Sequence, residues 1–249
     1  MTEEIRLNAS KLGTQEYWNN FYKKEQSNFN ENDEDTGECW FDDSDAEAKM
    51  IQFILEKLTD EEFPTEITSL EKISFLDLGT GNGHLLFELS NEIQDEYDGD
   101  KAFEYIGIDY SPDSVQFAQA IAAKKYNEVE FKFSQVDLLS KESPFLKENH
   151  GKFDVLLDKG TLDAIALNQD PIEEFDGLIG MDIYARQVEQ LMHQGSILLI
   201  TSCNFTEVEL TKIITSNTKL SVWDKINYPS FQFGGVKGST VCSIAFIKD

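Results

Sequence analysis

Basic residues are scarce in this sequence. Of its 249 residues, 21 are lysine or arginine and 47 are aspartate or glutamate, which gives a formal net charge of −26 at pH 7. A chain with this charge repels nucleic-acid phosphates and anionic membrane surfaces, whereas it attracts basic partners. We therefore expect no direct binding of DNA or RNA. A solubilising surface is the alternative use of the same charge.

Cysteine and histidine are also few, and long apolar runs are missing. Cys39, Cys203 and Cys242 lie far apart and form no C-x-x-C pair, so we expect reduced thiols in a cytoplasmic protein. The three histidines show no metal-ligand spacing, and no metal site is expected. No run of about eighteen apolar residues occurs, and the first ten residues lack the apolar part of a signal peptide. The sequence therefore predicts neither a secreted nor a membrane-spanning protein.

Short apolar runs alternate with helical patterns along most of the chain. The runs rich in β-branched, leucine and aromatic residues are 73–78, 103–109, 129–136, 153–158 and 195–202. Strands that alternate with helices predict crossover units and a parallel sheet covered on both faces. Two later segments, 220–228 and 240–248, are joined by the Gly-rich connection 231–239, which is too short for a crossover helix. These two strands are therefore expected to pair antiparallel.

The length favours one domain over residues 1–249, and we expect a monomer. An N-terminal segment, 1–43, contains the acidic stretch NFNENDEDTGE at 28–38, which predicts a flexible surface loop. The core of the domain is expected over 44–249. Apolar residues at helical spacing predict an amphipathic helix over 44–58, at its beginning.

The stretch FLDLGTGNG, residues 75–83, predicts a ligand-binding loop. Its glycines, Gly79, Gly81 and Gly83, follow an apolar strand and precede a helical pattern. A dinucleotide-binding loop has the spacing G-x-G-x-x-G, and His84 stands where that pattern has its third glycine. The loop is therefore related to the dinucleotide pattern without matching it.

Carboxylates stand at the ends of the first three predicted strands. Asp77, at the glycine loop, would repel a pyrophosphate but attract an ammonium or sulfonium group. Asp109 ends the second strand, where a carboxylate can accept hydrogen bonds from a ribose diol. Asp137 follows the third strand between apolar neighbours, and it suits an adenine amino group in an apolar slot. S-adenosylmethionine combines an amino acid, a positive sulfur, a ribose and an adenine, and we expect it as the cofactor.

This order of features resembles the class I, seven-stranded S-adenosylmethionine-dependent methyltransferases. The resemblance implies an α/β fold with a Rossmann-like, doubly wound sheet in the order 3-2-1-4-5-7-6, mostly parallel with an antiparallel C-terminal hairpin. In that family the glycine loop holds the methionine part of the cofactor, the second strand end holds the ribose and the third holds the adenine. By this resemblance the cofactor positions are Asp77, Gly79, Thr80, Gly81, Asp109, Tyr110, Asp137 and Leu138.

Further segments resemble a narrower family, the eukaryotic elongation factor 1A lysine methyltransferases of the methyltransferase-like group. The segments are LGTQEYWNNFY (12–22), DTGECWF (35–41), LLDKGTLDAI (156–165), ITSCNFTEVEL (200–210) and FQFGGVKGSTV (231–241). The resemblance runs from Leu12 to Ile247. It implies a protein-lysine N-methyltransferase whose substrate is a basic protein, elongation factor 1A. The sequence departs from the family pattern at Cys39, Asp42 and Asp43 and by an acidic insertion near 94–101.

Asp158, at the end of the fourth strand, is the candidate catalytic residue. Methyl transfer to an amine needs mainly alignment and the exclusion of water, and only a neutral lysine attacks. We expect Asp158 to orient the amine or to accept a hydrogen bond from it; the alternative is a cap for a helix that begins near Thr161. Trp40, after the acidic stretch, is expected to close over the cofactor, whereas Trp18 is expected to pin the N-terminal helix to the core.

Three other functions stay open on the sequence alone. The lack of an appended substrate-binding domain is compatible with a methyltransferase for a small metabolite. The glycine-rich loop is compatible with a nicotinamide-dependent reductase. A binding partner that keeps the fold without catalysis is the third alternative.

Overall fold

A mixed β-sheet forms the centre of the computed structural model, which describes residues 5–229, 231–233, 236–238 and 240–249, the two short ranges by their backbone alone. The strands are β1 (Lys72–Leu78), β2 (Ala102–Asp109), β3 (Phe131–Gln135), β4 (Phe153–Lys159), β5 (Met192–Ser202), β6 (Leu220–Ile226), β7 (Phe231–Phe233), β8 (Val236–Gly238) and β9 (Cys242–Lys248). Every strand run expected from the sequence is present, with ends that differ by a few residues.

The main sheet has seven strands in the order β3-β2-β1-β4-β5-β9-β6. Strands β1 to β5 pair in parallel, whereas β9 pairs antiparallel with both β5 and β6. The strands β7 and β8 form a separate hairpin, and without them β9 is the seventh strand. The predicted order 3-2-1-4-5-7-6 is therefore confirmed. Of the Gly-rich connection, Gly234, Gly235 and Ser239 lie outside the described residues.

Helices cover both faces of this sheet. They are α1 (Gln15–Glu31), α2 (Ala46–Thr59), α3 (Thr65–Thr68), α4 (His84–Glu96), α5 (Pro112–Lys125), α6 (Pro144–Glu148), α7 (Thr161–Ala166), α8 (Gly180–Leu191) and α9 (Glu207–Thr215). Ser111 caps α5 by accepting a hydrogen bond from Ser114 N–H, and Thr206 forms a capping box with Glu209. These side chains bind N–H groups that have no partner within the helix, which explains why α5 and α9 begin where they do.

The first strand shows how the two faces are filled. Six of the seven residues of β1 are buried, and successive side chains point to opposite faces. Ile73 and Phe75 pack into a core with residues of α1, α2, α4 and α5. Leu76 and Leu78 pack into the other core, with residues of α6 to α9. A strand buried on both faces has a nearly continuous apolar sequence, as the run ISFLDL has.

The acidic loop predicted over 28–38 begins later than expected. Residues up to Glu31 form the last turn of α1, so the loop comprises only 32–38. Phe29 is 4% exposed and its ring lies 5.8 Å from that of Phe117 in α5. This apolar contact extends the helix into a segment whose composition alone indicated a loop.

The carboxyl ends of β1 to β4 lie side by side at one edge of the sheet, because these strands are neighbours and parallel. This is the edge at which open α/β sheets bind ligands. Within the described part of the chain, no helix is both long and apolar enough to cross a membrane.

Candidate active site

A cavity of about 380 Å³ opens at the carboxyl edge of the sheet. Nine residues predicted from the sequence to bind the cofactor line it: Trp40, Asp77, Gly79, Thr80, Gly81, Asp109, Tyr110, Asp137 and Leu138. The volume lies in the range of small-molecule sites, which are typically apolar clefts with a few converging polar groups. The structure therefore brings together residues that are up to 98 positions apart in the chain.

The glycine loop adopts a conformation that favours glycine. Gly79, Gly81 and Gly83 have φ values of 69°, 58° and 85°, in the left-handed region. A Cβ atom on Gly81 would lie 2.6 Å from the Tyr22 hydroxyl oxygen, and one on Gly79 would lie 2.1 Å from Thr161 Oγ1. The loop backbone can therefore follow the cavity wall only because these positions carry no side chain.

Asp109 connects the end of β2 to the glycine loop. Its Oδ2 accepts a hydrogen bond from Gly81 N–H at 3.0 Å, and its Oδ1 accepts one from Ser111 N–H at 2.9 Å. Burial raises the pKa of Asp109, which is 6% exposed, while these backbone donors act in the opposite direction. Each carboxylate oxygen has two lone pairs, so each can accept one further hydrogen bond from a ligand.

Asp77 lines the cavity and is the second-to-last residue of β1. It is 3% exposed, and burial raises its pKa to about 7, although the positive charge of Lys159 acts in the opposite direction. A cationic ligand beside a buried carboxylate of raised pKa stabilises the charged form of that carboxylate and is bound more tightly as a result. The position therefore suits an ammonium or sulfonium group.

Replacing Asp77 by Asn is expected to stabilise the ligand-free protein increasingly as the pH rises. Between pH 4 and 7 the unfolded chain loses the Asp77 proton while the folded chain keeps it, so the free energy of unfolding falls with rising pH. The advantage of Asp77→Asn should grow by about 2 kcal/mol between pH 5.5 and pH 8, as measured by urea denaturation of both proteins. Asp158 contributes equally to the pH dependence of the parent and of Asp77→Asn, so the difference between their free energies of unfolding reports on Asp77 alone. An equal effect at the two pH values would contradict this assignment.

The part of the cavity beside β3 is apolar, with polar groups at its rim. Ile108, Val136 and Leu138 line it and are buried. Asp137 is exposed, and its Oδ1 accepts a hydrogen bond from Leu139 N–H at 2.8 Å. Tyr110 is half-buried on the same wall, and burial raises the pKa of its hydroxyl. This combination has the character of the adenine slot that the sequence predicts.

Residues 38–45, here called the strap, lie between α1 and α2 in the chain, and Glu38, Trp40 and Phe41 of this segment line the cavity. The Trp40 carbonyl oxygen accepts a hydrogen bond from Lys159 Nζ at 2.9 Å, and its ring meets that of Trp18 edge to face at 5.4 Å. Phe41 has a φ of 70°, and its ring packs on Gly160, where a Cβ would lie 2.6 Å from it. The strap is therefore attached to the end of β4 by a hydrogen bond and by a close ring contact.

Trp18 is in the position expected from the sequence. Its Nε1 donates a hydrogen bond to the Leu12 carbonyl at 2.7 Å, and its ring stacks on Tyr22 at 5.9 Å. It also lines the cavity, together with Leu12 and Tyr22. One wall of the cavity thus comes from the N-terminal segment.

Asp158 lies behind the cavity and does not line it. Its side chain is fully buried, its Oδ1 accepts from Thr161 N–H at 2.7 Å, and its Oδ2 accepts from Leu162 N–H and from the Tyr184 hydroxyl. Burial raises the pKa of Asp158 to about 7. These contacts make it a cap of α7, the alternative stated above, and a catalytic role for it stays a prediction.

Sequence reasoning missed the charged groups that face the glycine loop. Glu47, His84 and Lys159 line the cavity, with Glu47 Oε1 2.5 Å from His84 Nδ1 and Glu47 Oε2 3.3 Å from Lys159 Nζ. Burial alone would raise the pKa of Glu47, but His84 and Lys159 lower it; Cys39 and Glu47 raise the pKa of His84 to about 10. No spacing in the sequence connects these residues, because they belong to three different elements.

Comparison with known proteins gives a consistent result at three levels. A family model described as a methyltransferase domain matches residues 69–235. Protein-lysine N-methyltransferase EFM4 of Saccharomyces cerevisiae is 46% identical over 97% of this chain and 96% of its own length. EEF1A lysine methyltransferase 2 of Homo sapiens is 31% identical over 96% of this chain and 87% of its own length.

Solved structures with the same fold are much more distant in sequence. The magnesium protoporphyrin IX methyltransferase of Synechocystis PCC 6803, solved with bound SAM, superimposes with a TM-score of 0.52 at 16% identity, over 92% of this chain and 97% of that one. An S-adenosyl-L-methionine-dependent methyltransferase described as putative, from Methanococcus maripaludis, gives a TM-score of 0.55 at 11% identity, over 98% and 97% of the two chains. At such identities the likeness shows the fold alone.

Proposed function

The chain belongs to the methyltransferase-domain family and to its protein-lysine N-methyltransferases, and from this premise we propose that it transfers methyl groups from S-adenosylmethionine to a lysine of elongation factor 1A. The relative named protein-lysine N-methyltransferase EFM4 supports the reaction, and the relative named EEF1A lysine methyltransferase 2 supports the substrate; each aligns with nearly the whole chain. The observation that carries the proposal is the convergence of the nine predicted cofactor residues on one cavity.

The residues present fit S-adenosylmethionine. Asp77 and Asp109 are buried carboxylates on the cavity wall, which favour a ligand with positive charge. The loop glycines leave the backbone open to the ligand, since a side chain at Gly81 would collide with Tyr22. The apolar wall beside Leu138 suits the adenine. When bound, the cofactor supplies an electrophilic methyl group on a sulfonium.

The protein contributes alignment and exclusion of water. The Trp40 and Phe41 rings cover the cavity next to Lys159 and Gly160, which keeps the reacting atoms dry. A substrate lysine held in this cavity is partly desolvated, and desolvation lowers its pKa and favours the neutral amine that attacks. Asp158 acts through the backbone of α7, by fixing the start of the helix at Thr161.

The acceptor side of the cavity is formed by α7, which follows β4, and by the residues directly after β5. Asp163, Cys203 and Asn204 line it. The carboxylate of Asp163 accepts hydrogen bonds from Ser202 Oγ at 2.5 Å and from Cys203 N–H at 2.8 Å, so its position is fixed. We infer that the substrate lysine enters between this side and the strap.

Two segments that contribute residues to the cavity lining are acidic. The strap, 38–45, and the segment 170–176 each contain four acidic residues and no basic one. All of these acidic residues are exposed: Glu38, Asp42, Asp43, Asp45, Asp170, Glu173, Glu174 and Asp176. Such a surface attracts a positively charged partner and accelerates its association at low ionic strength. These acidic segments therefore support a basic protein as the substrate.

Methylation of purified elongation factor 1A is the direct test. The factor, produced in a host that leaves it unmethylated, is incubated with this protein and methyl-labelled S-adenosylmethionine, and its peptides are analysed by mass spectrometry. We expect label on a lysine. Reversing the charge of the strap with Asp42→Lys and Asp43→Lys should raise the KM for the factor several-fold, more at low salt, with the KM for the cofactor unchanged.

Glu128→Lys with Glu130→Lys is the matched control, since both residues are exposed and precede β3 at the opposite edge of the sheet. Label found only in small molecules of a lysate would instead support the metabolite methyltransferase. Binding of NAD in place of S-adenosylmethionine would support the reductase. A cytoplasmic location, a monomeric state and the lack of nucleic-acid binding stay predictions from the sequence.

A further inference from the structure

Donor side chains of three chemical types meet beside the cofactor cavity and have no part in the proposed reaction. Cys39 lies in the strap, Glu47 in the first turn of α2, and His84 at the start of α4. One donor atom of each lies within 4.8 Å of the other two. Cys39 Sγ is 3.5 Å from Glu47 Oε2, and His84 Nδ1 is 2.5 Å from Glu47 Oε1. Donor atoms this close can share a single ion after small side-chain rotations.

The backbone around these side chains is fixed by Asn82. Its Nδ2 donates a hydrogen bond to the Thr36 carbonyl at 2.9 Å, and its Oδ1 accepts one from His84 N–H at 3.3 Å. Asn82 is 8% exposed, so the two hydrogen bonds are shielded from water. They connect the chain just before Cys39 with the chain at His84, and this connection pre-arranges two of the three donors.

We propose that Cys39, Glu47 and His84 form a binding site for one divalent transition-metal ion, with Zn²⁺ as the best match. Zn²⁺ is commonly bound by thiolate, imidazole and carboxylate together, whereas Mg²⁺ and Ca²⁺ require oxygen ligands. The thiolate and the carboxylate carry two negative charges, which balance the ion. Binding releases the thiol proton of Cys39 and the proton on His84 Nδ1 to solvent, because the thiolate and the neutral imidazole are the ligands.

The fourth ligand position faces the cavity, because Glu47 and His84 both line it. A site with three protein ligands and one open position takes water or a ligand atom there. Lys159 is the competing cation, since its Nζ lies 3.3 Å from Glu47 Oε2. The ion and the ammonium therefore compete for the same carboxylate. The proposed methyl transfer does not require the ion, so a negative result for metal binding would leave the methyltransferase proposal unaffected, and the reverse.

Metal titration of the purified full-length protein tests the site. After treatment with a chelator, the protein is titrated with Zn²⁺ in competition with a chromogenic chelator, and we expect one ion per chain. Co²⁺ as a probe should give tetrahedral visible bands and a near-ultraviolet band from thiolate-to-cobalt charge transfer. Cys39→Ser should remove the latter band. Cys39→Ser and His84→Ala should each weaken Zn²⁺ binding by roughly 100-fold or more, since loss of an outer-shell partner alone costs about 10–100-fold.

Lys159→Met should tighten Zn²⁺ binding, because it removes the competing charge. His150→Ala is the matched control for the histidine, since His150 is exposed and does not line the cavity, and it should leave the Zn²⁺ affinity unchanged. Thermal unfolding of every variant shows whether it is folded. The proposal is overturned if the unmodified protein binds no stoichiometric Zn²⁺, or if folded Cys39→Ser and His84→Ala proteins bind it as tightly as the parent does.

Discussion

Asp109→Ala is expected to weaken the binding of S-adenosylmethionine by roughly 100-fold. The carboxylate holds Gly81 N–H and Ser111 N–H, so its loss frees the glycine loop as well as removing acceptors for the ribose. Hydrogen bonds to a charged group contribute about 1.5–3 kcal/mol each, and about 2.7 kcal/mol corresponds to 100-fold in affinity. Isothermal titration calorimetry with S-adenosylmethionine or its demethylated product measures the change.

Asp113→Ala provides the comparison for this variant. It removes the same charge from the first turn of α5, four residues away, at a position that does not line the cavity. The affinity of Asp113→Ala for S-adenosylmethionine should stay within about a factor of two of the parent's, because substitutions away from a site usually have small effects. Parental affinity in Asp109→Ala would mean that the cofactor is bound elsewhere, and the cofactor assignment would be wrong.

Asp158→Ala is expected to lower the free energy of unfolding by about 3–5 kcal/mol. The substitution leaves three donors without their acceptor: the buried Leu162 N–H and Tyr184 hydroxyl, and the part-buried Thr161 N–H. Urea denaturation monitored by circular dichroism measures the loss. Tyr184→Phe removes one donor and keeps the acceptor, so it should cost only about 1–2 kcal/mol.

The same pair of variants separates the two roles of Asp158. If Asp158 positions α7, the methyltransferase activity of Asp158→Ala and of Tyr184→Phe should fall in proportion to the loss of stability of each. Asp158→Asn, which keeps an acceptor oxygen, should then recover part of the activity lost in Asp158→Ala. A folded Asp158→Ala protein with parental stability and no activity would instead place the carboxylate in contact with the substrate lysine. That outcome would restore the catalytic role expected from the sequence.

The sequence predicted most of the cofactor site because most of its residues lie at or just after the ends of the first three strands. Asp77, Asp109 and Asp137 are read from local patterns, an apolar run that ends in a carboxylate. Parallel pairing then brings the strand ends to one edge of the sheet without further information. Local signals of this kind are strong for a doubly wound fold, whereas the strand order was implied by the resemblance to the class I methyltransferases.

The charged residues at the glycine loop and the role of Asp158 could not be predicted, because they depend on contacts between segments that are distant in the chain. Nothing in the sequence around Glu47 indicates that it meets His84 and Lys159, which lie 37 and 112 positions further along the chain. Asp158 was assigned to the reaction because it ends a strand, as the cofactor residues do. Its side chain points to the opposite face, toward Tyr184, and the side on which a strand-end residue emerges is set by register within the sheet.

The N-terminal wall of the cavity has a consequence for synthesis on the ribosome. Trp40 of this wall contacts the end of β4, and Phe29 of the same N-terminal segment contacts α5; both residues leave the exit tunnel before these partners are made. The nascent chain must therefore hold an aromatic-rich stretch without its partner surface until about residue 160 has emerged. The cavity is therefore complete only after the N-terminal segment has packed against the ends of strands that follow it in the chain.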